Sequence, residues 1–557
     1  MASDSFGRGG GGRPTIQRMA SWNFATLWEI AAENVPDAPA LLQGDRVITW
    51  AHLNQRADGI ARLLIDRGAV EQDKVALYLY NCPEYLESCF ACFKAGLVPV
   101  NTNYRYADDE LLYLWDNADA VAVVFHGTFG ERIERIRERA PRVHTWLWVD
   151  DGAGDCPSWA IDYETGAKPV DDSPVIAPWG RGEDDLLMIY TGGTTGMPKG
   201  VMWRQDDLVR GVIGSTAKRF RGTADYDMIR GVLTRPGRVG LPACPLMHGT
   251  GWFSALAVLS TAGCVVTLAG RKFDAEDLLD AYARYRVNTS AIVGDAFAKP
   301  MLAALETHPG RWDLSDLMAL NSSGVMWSEP VKAGLLRQLP KVQLVDNFGS
   351  SEAMGMGQSV STSTSAAQTA KFSLSANTRV VDENDNDVVP GSGQIGRVAV
   401  RGHQPIGYYK DPEKSARTFV VINGERYSIP GDYAAVEADG TLVLLGRGSV
   451  CINTGGEKVY PEEVEEALKL HDAILDAVVV GVPDERFGEA ITAIVELKAA
   501  APLDEASVIE HVKARLASYK APKHVLSISS IDRAPNAKVD YKRLRTFALE
   551  RLGIAVR

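Results

Sequence analysis

The chain has 557 residues, 46% of them hydrophobic and 23% charged, with a formal net charge of −12. That length exceeds one hydrophobic core and implies two or more domains, while the acidic balance excludes a general nucleic-acid binder and a polybasic membrane anchor. The seven cysteines are an odd, dispersed set that suits a reducing, cytoplasmic setting, and no apolar run approaches the ~20 residues a membrane span needs, which excludes stable membrane insertion.

Residues 1–18 carry isolated arginines among Gly and Ser and no apolar stretch, so they read as a disordered tail rather than a signal peptide. From Leu53 the apolar residues Leu53, Ala57, Ile60, Ala61 and Leu64 recur at helical spacing, with Gly68 as the stop. A strand follows at Val75–Leu79, a helix over 84–94, and strands around 120–125 and 144–149. Cys89 and Cys92 fall inside that helix without companion ligands and read as core. Strands recur near 186–190, 264–268, 289–293 and 342–347, with helices between. This α/β alternation predicts a large N-terminal domain, 19–446, of stacked, mostly parallel sheets covered by helices, with functional loops at the carboxyl ends of the strands. Residues 358–370, rich in Ser, Thr and Ala, read as a surface loop. The short strands with Gly, Pro and Asp turns over 378–436 predict a small antiparallel β-barrel. After Gly446-Arg447 a compact α/β module begins, with a helix from Glu462, strands near 476–481 and 490–497, and a helix from Ala506 to Ala517. The domain boundary is expected at 447–449, leaving 450–557 as the C-terminal domain.

The richest stretch is Tyr190-Thr191-Gly192-Gly193-Thr194-Thr195-Gly196-Met197-Pro198-Lys199-Gly200, directly after Leu186-Leu187-Met188-Ile189. Glycines let backbone amides turn toward an anion, the threonines add donors and Lys199 adds a charge, which together suit a polyphosphate. The loop is not a Walker A, because Pro198 precedes the lysine and Gly200 follows it; the next helix is expected only near Gln205. It resembles the phosphate loop of the adenylate-forming superfamily, which includes acyl-CoA synthetases, luciferases and the adenylation domains of peptide synthetases.

Four further segments match that superfamily in order. Asn347-Phe348-Gly349-Ser350-Ser351-Glu352 resembles its aromatic-Gly-x-Thr-Glu motif, with Phe for Tyr and Ser for Thr. The resemblance implies that Phe348 stacks on adenine, Ser351 binds the α-phosphate, and Glu352 with Thr191 holds Mg²⁺; by itself, a Ser-Glu pair after a strand reads equally as a helix cap. Ile429-Pro430-Gly431-Asp432 implies an aspartate on the ribose hydroxyls, although the bare tetrapeptide is also a plain turn. Gly446-Arg447 implies a guanidinium at the domain junction, with Ser449 where the family's hinge Asp or Lys stands. Arg533-Ala534-Pro535-Asn536-Ala537-Lys538, with Ala537 for the usual Gly, implies that Lys538 serves the adenylation step; an isolated lysine there would be solvated surface. Ser323 and Gly324 are placed beside the nucleotide and the acyl group. His248, in Pro245-Leu246-Met247-His248-Gly249, fits a gating or orienting position, whereas alone it reads as a core histidine.

The phrase from Gly446 through Gly455-Gly456-Glu457-Lys458 to Glu465 resembles the acyl-CoA synthetase form of the hinge and glycine loop. There the small domain is mobile, rotating after adenylation so that Gly455 and Gly456 line a pantetheine tunnel and Lys458 faces CoA. Gly200-Val201-Met202-Trp203-Arg204 and Gly407-Tyr408-Tyr409-Lys410-Asp411 resemble bacterial steroid side-chain CoA ligases. The implied partners are ATP, Mg²⁺, coenzyme A and a hydrophobic carboxylic acid, a long or branched fatty acid or a steroid acid; a homo-oligomer is compatible. The acyl pocket is expected from Trp252, Val293–Phe297, Ser323–Val325 and Met354-Gly355, without arginine or lysine. The rival readings are an acyl-AMP ligase loading a carrier-protein phosphopantetheine, disfavoured because no carrier module follows before Arg557, a luciferase-like oxygenase, and a non-catalytic nucleotide-binding protein.

Overall fold

Apolar runs set the layers. The strand Ala120–His126 is buried at every position, as a strand covered on both faces must be. The computed structural model describes residues 22–168, 173–193, 196–216, 225–325, 327–365, 368–454, 457–484, 488–498, 501–534 and 538–554; the tail expected over 1–18 lies outside them. Ala120–His126 belongs to an 8-stranded sheet in which Leu186–Gly193, Val98–Asn101, Lys74–Tyr78, Ala120–His126, Thr145–Val149 and Ile161–Asp162 run parallel side by side. The glycine-rich stretch is not a free loop but a hairpin: Gly196–Arg204 returns antiparallel along Leu186–Gly193, with Gly193 opposite Gly196. The next helix, Gln205–Thr216, starts where the sequence predicts.

A second sheet has 15 strands. Its parallel part sets Pro39–Gln43, Cys264–Val266, Val239–Pro242, Thr289–Ile292, Ala319–Ser323 and Gln343–Ser350 in that spatial order. Beyond Gln343–Ser350 the pairing turns antiparallel through Ala353–Ser361, which runs into the segment read as a surface loop. The strands within 378–436 continue this ladder. They do not close into the small barrel expected there: among the described residues Thr378–Val381 pairs along its length only with Ile395–Arg401, and the path stays open. Turn residues foretell short antiparallel strands, but closure depends on twist and on long-range partners.

The C-terminal sheet has 5 strands, built on the long hairpin Ile474–Asp484 and Gly488–Leu497, with His524–Ile528 parallel to the second arm. Helices Pro461–Lys469 and Glu505–Lys513 pack on one face and Tyr541–Leu552 on the other, each over its own apolar cluster.

Helix Trp50–Asp66 shows how the first layer is locked. Thr49 caps it by accepting from the His52 amide at 3.2 Å, and all five apolar positions read at helical spacing are buried. The same helix carries the buried Arg56. Its guanidinium donates to Glu87 (2.8 and 2.9 Å) and to Glu164 (2.7 and 2.8 Å), tying this helix to Pro83–Lys94 and to Tyr163–Gly166. Removing one member of a buried ionic group leaves a charge without compensation, at a cost of about 3–5 kcal/mol. Arg56→Ala is therefore expected to destabilise the chain by about that amount in denaturant titration; a loss below about 1 kcal/mol, typical of an exposed pair, would show that water satisfies Glu87.

Candidate active site

The parallel strands of the 15-stranded sheet end together, and the register decides what meets there: Ser323 lies beside Asn347, at the carboxyl ends of neighbouring strands. A cavity of about 2630 Å³ opens at this edge. A pocket for one small ligand holds about 300–1,000 Å³, so this one has room for more than one. Thr191, His248, Ser323, Gly324, Asn347, Phe348, Gly349, Ser351, Glu352, Asp432 and Lys538 all line it.

Glu352 is the most firmly held of these. It is 6% exposed; its Oε1 accepts from the Tyr408 hydroxyl at 2.8 Å, and its backbone carbonyl accepts from Ser428 Oγ at 2.8 Å. The preceding carbonyl, of Ser351, accepts from Trp203 Nε1 at 2.9 Å. Phe348 has less freedom than an adenine platform suggests: it is 7% exposed and its ring packs on Phe372, centroids 5.4 Å apart. Asp432 opens the strand Asp432–Val436 after Gly431, whose φ of +101° suits glycine, and stands opposite Arg447 in the antiparallel pair with Thr441–Arg447. The backbone thus brings those two positions together, while the Arg447 side chain lies outside the described residues.

Lys199 is not among the cavity-lining residues. Its ammonium is ion-paired with the carboxylate of Asp411, which also caps helix Pro412–Thr418 by accepting from the Lys414 amide at 2.9 Å. Thr194, Thr195, Gly455 and Gly456 lie outside the described residues, as do the side-chain surroundings of Gly192, Gly193, Gly196 and Lys458. Around 455–456, Ile452–Thr454 and Glu457–Val459 pair antiparallel with Thr454 opposite Glu457, and Ile452, Asn453, Thr454 and Val459 are not among the residues lining the cavity.

The C-terminal sheet reaches the cavity through Lys538. The Ala534 amide donates to the Lys538 carbonyl at 2.9 Å, closing the segment on itself; residues 535–537 lie outside the described residues. Arg533 anchors the segment, its Nε and Nη2 donating to the two oxygens of Asp476 at 2.6 and 2.9 Å. The sequence shows Arg533, Tyr408 and Asp411 only as members of family phrases and does not reveal what each holds, because the partner lies far away in the chain.

Helix Gly249–Leu259 supplies another side of the cavity. Its partly exposed face, with Phe253, Ser254, Ala257 and Val258, turns inward. Trp252, expected in the acyl pocket, faces the core instead and meets Tyr85 edge-on at 5.7 Å. Phe297 likewise packs against Phe273, at 4.5 Å, and is absent from the lining, whereas Val293, Ser323, Gly324, Val325, Met354 and Gly355 line it. The expectation of a lining without arginine or lysine is overturned, since Arg210, Arg235 and Arg238 reach the same cavity. Composition around a motif cannot reveal residues that strand order brings in from elsewhere.

His248 sits at the N-cap of helix Gly249–Leu259 with extended backbone. Burial pushes its pKa down to about 3, and the positive charge of Lys538 adds to the shift. Its imidazole is therefore neutral around pH 7 and a weak base. Because the folded pKa lies below the ordinary 6.5, the stability tied to this group is full above pH 6.5 and is lost as pH falls through that value toward 3. Side-chain NMR of the folded chain is expected to show His248 untitrated down to about pH 5, with its pKa rising in Lys538→Ala; a normal titration would refute the buried, cation-adjacent setting.

A family profile described as AMP-binding enzyme matches residues 28–409, and one described as AMP-binding enzyme C-terminal domain matches residues 463–538. A medium/long-chain-fatty-acid–CoA/3-oxocholest-4-en-26-oate–CoA ligase of Mycolicibacterium smegmatis is 39% identical over 535 residues, covering 95% of this chain and 97% of that protein. A 3-oxocholest-4-en-26-oate–CoA ligase of Rhodococcus rhodochrous is 40% identical, covering 93% and 95%. Among solved structures, ATP-bound MatB from Rhodopseudomonas palustris superposes with a TM-score of 0.76 at 25% identity, over 94% of this chain and 99% of that one. The first profile alone spans more than half the chain, which belongs to the AMP-binding enzyme family.

Proposed function

We propose that this chain is an ATP-dependent acyl-CoA ligase. A carboxylate oxygen attacks the α-phosphorus of ATP, the bond to pyrophosphate breaks, and the CoA thiol then takes the acyl group from the mixed anhydride with release of AMP. One observation carries the reading: Thr191 of one sheet, Glu352 and Asp432 of another, and Lys538 of the C-terminal module line one cavity beside an apolar helix face.

The roles follow from charge. A carboxylate and a triphosphate repel each other, so the triphosphate must first be neutralised. The amides of the Gly192–Gly196 hairpin and the Thr191, Thr194 and Thr195 hydroxyls face the phosphates. Lys199 draws on them in exchange with Asp411, its ion-pair partner. Ser351 meets the α-phosphate, Asp432 the ribose hydroxyls, Arg447 the nucleotide from the junction, and Ser323, Gly324 and Asn347–Gly349 the adenine side. The donor set fits magnesium. Glu352 offers a carboxylate and Thr191 a hydroxyl, and among the described residues no group of three or more His, Cys, Asp or Glu is arranged to cage a metal. Mg²⁺ needs no such cage, since triphosphate oxygens and water complete its shell, and when bound it supplies countercharge to the phosphates. Lys538 bridges the substrate carboxylate and the α-phosphate, where charge grows in the transition state. Neutral His248 orients the acyl carboxyl by hydrogen bonding. After adenylation the module 450–557 turns about 447–449, Lys538 withdraws, and Gly455, Gly456 and Lys458 receive the pantetheine arm and phosphates of CoA. The inward helix face and the relatives' substrates favour a hydrophobic acid, a medium or long fatty acid or a steroid side-chain acid.

Acid-dependent pyrophosphate exchange and AMP release with CoA test the reading. Lys538→Ala is expected to slow exchange at least ~10²-fold, and Arg533→Leu, which frees the lysine segment, by ~10-fold or more. Both should still convert preformed acyl-AMP and CoA to the thioester, because neither charge is needed there. Equal losses in both half-reactions would assign these residues to folding, and transfer to a holo-carrier protein in preference to free CoA would make the chain a carrier-loading ligase.

A further inference from the structure

The acyl side of the cavity runs the length of the parallel strands, and its two ends differ in chemistry. On the sheet face turned inward, Ala319 lies beside Gln343, Asn321 beside Val345 and Ser323 beside Asn347. The four steps from Gln343 to Asn347 cover ~13 Å at ~3.3 Å per residue. The facing helix agrees: from Thr250 to Val258, eight steps at ~1.5 Å give ~12 Å. The near end opens on Thr191, Glu352 and Lys538. The middle carries no charged side chain at these inward positions, and its polar groups include engaged ones, Asn321 Nδ2 donating to Thr289 Oγ1 at 2.9 Å and Ser290 Oγ to the Leu241 carbonyl at 2.6 Å.

The far end lies where the strands begin. Arg238 immediately precedes Val239–Pro242, and its carbonyl accepts from the Cys264 amide at 2.9 Å, which fixes it at the amino edge of the sheet. Arg235 is three residues earlier, and Gln343 opens its own strand. All three are exposed and line the cavity. Neither arginine has an ion-pair partner among the described residues, although the chain as a whole carries an excess of acidic groups. A hydrocarbon tail that reached this end would gain nothing from two guanidinium groups, whereas a tail bearing an oxygen would accept charge-assisted hydrogen bonds there.

Resting on the ligase reading above, we infer that Arg235 and Arg238 select acids carrying an oxygen acceptor, a ketone, hydroxyl or carboxylate, at the tail end remote from the activated carboxyl, at least ~13 Å away along the strand direction. Two relatives are named for an acid with an oxo group in addition to its carboxylate. An extended chain with ~1.5 Å bonds advances ~1.3 Å per carbon, so a tail of roughly ten to twelve carbons spans the distance.

The test compares dodecanoic acid, its ω-hydroxy derivative and octanoic acid in the wild type, Arg235→Ala, Arg238→Ala and the double variant. The readouts are kcat/KM for AMP release with CoA and calorimetric binding of each acid to the full chain. The wild type is expected to favour the ω-hydroxy acid over its parent by ~10-fold. In the double variant the ratio falls to about one, with octanoic acid, too short to reach the arginines, changing less than the ω-hydroxy acid. An unchanged ratio in the double variant, or equal losses for all three acids, overturns the assignment. So does loss of binding to anionic phospholipid vesicles with the acid preference retained, which would give the arginines to a lipid surface. Acids that bind with the expected preference but never yield AMP refute the ligase reading while leaving the tail selection standing.

Discussion

The turn at Ser351-Glu352 holds the two large sheets in register, and the geometry of the cavity depends on it. Trp203 and Tyr408 come from the 8-stranded sheet, while Ser351 and Glu352 end a strand pair of the 15-stranded one. An indole N–H on the Ser351 carbonyl and a phenol on the Glu352 carboxylate bind the sheets at two neighbouring points. A buried carboxylate without a donor would cost more than these contacts return, and the Tyr408 hydroxyl supplies one to Glu352 Oε1. Thr191 sits on one sheet and Glu352 on the other, so their separation is set by this clamp and not by either strand alone.

The acyl side obeys a different constraint, close approach of a helix to a sheet. A Cβ on Gly240 would come within 2.5 Å of Val258, so glycine here lets helix Gly249–Leu259 lie tight on Val239–Pro242. Tight packing at that strand, with small residues on the neighbouring ones, leaves the unfilled space over Ala319–Ser323 and Gln343–Ser350. A fully packed interior would fill it; a row of alanine, serine and asparagine does not.

Much of the scaffold was legible in the chain. The spacing of Leu53 to Leu64, the run at Ala120–His126 and the late helix start at Gln205 are local signals, and local physics decides them. The strand Ala319–Ser323 escaped notice because Ala-Leu-Asn-Ser-Ser lacks the β-branched, apolar signature of a buried strand, and its smallness is what leaves the cavity open. Trp252 turned out to face the core while its neighbour Phe253 lines the cavity for a related reason: side-chain size says that a residue will be buried, while the angular position on the helix says against what. The motif residues Thr191, Glu352, Asp432 and Lys538 were found by their resemblance to known phosphate chemistry, yet their holders, Tyr408, Asp411 and Asp476, lie 56, 212 and 57 residues from their partners Glu352, Lys199 and Arg533. No pattern of spacing carries that information.

The C-terminal module brings Lys538 to the cavity next to an anchored arginine. Arg533 grips Asp476 with two short bonds at the foot of the hairpin arm Ile474–Asp484, which ties the start of the segment leading to Lys538 to the C-terminal sheet. Contacts with the larger domain include Lys299, which donates to the Leu475 carbonyl at 3.3 Å from an exposed position, and the rings of Tyr433 and Tyr460, 5.7 Å apart across the chain crossing. The neutrality of His248 suits the cavity that Lys538 enters. An imidazolium beside Lys538 would repel its ammonium, so the desolvation that keeps His248 uncharged leaves the cavity open to that cation.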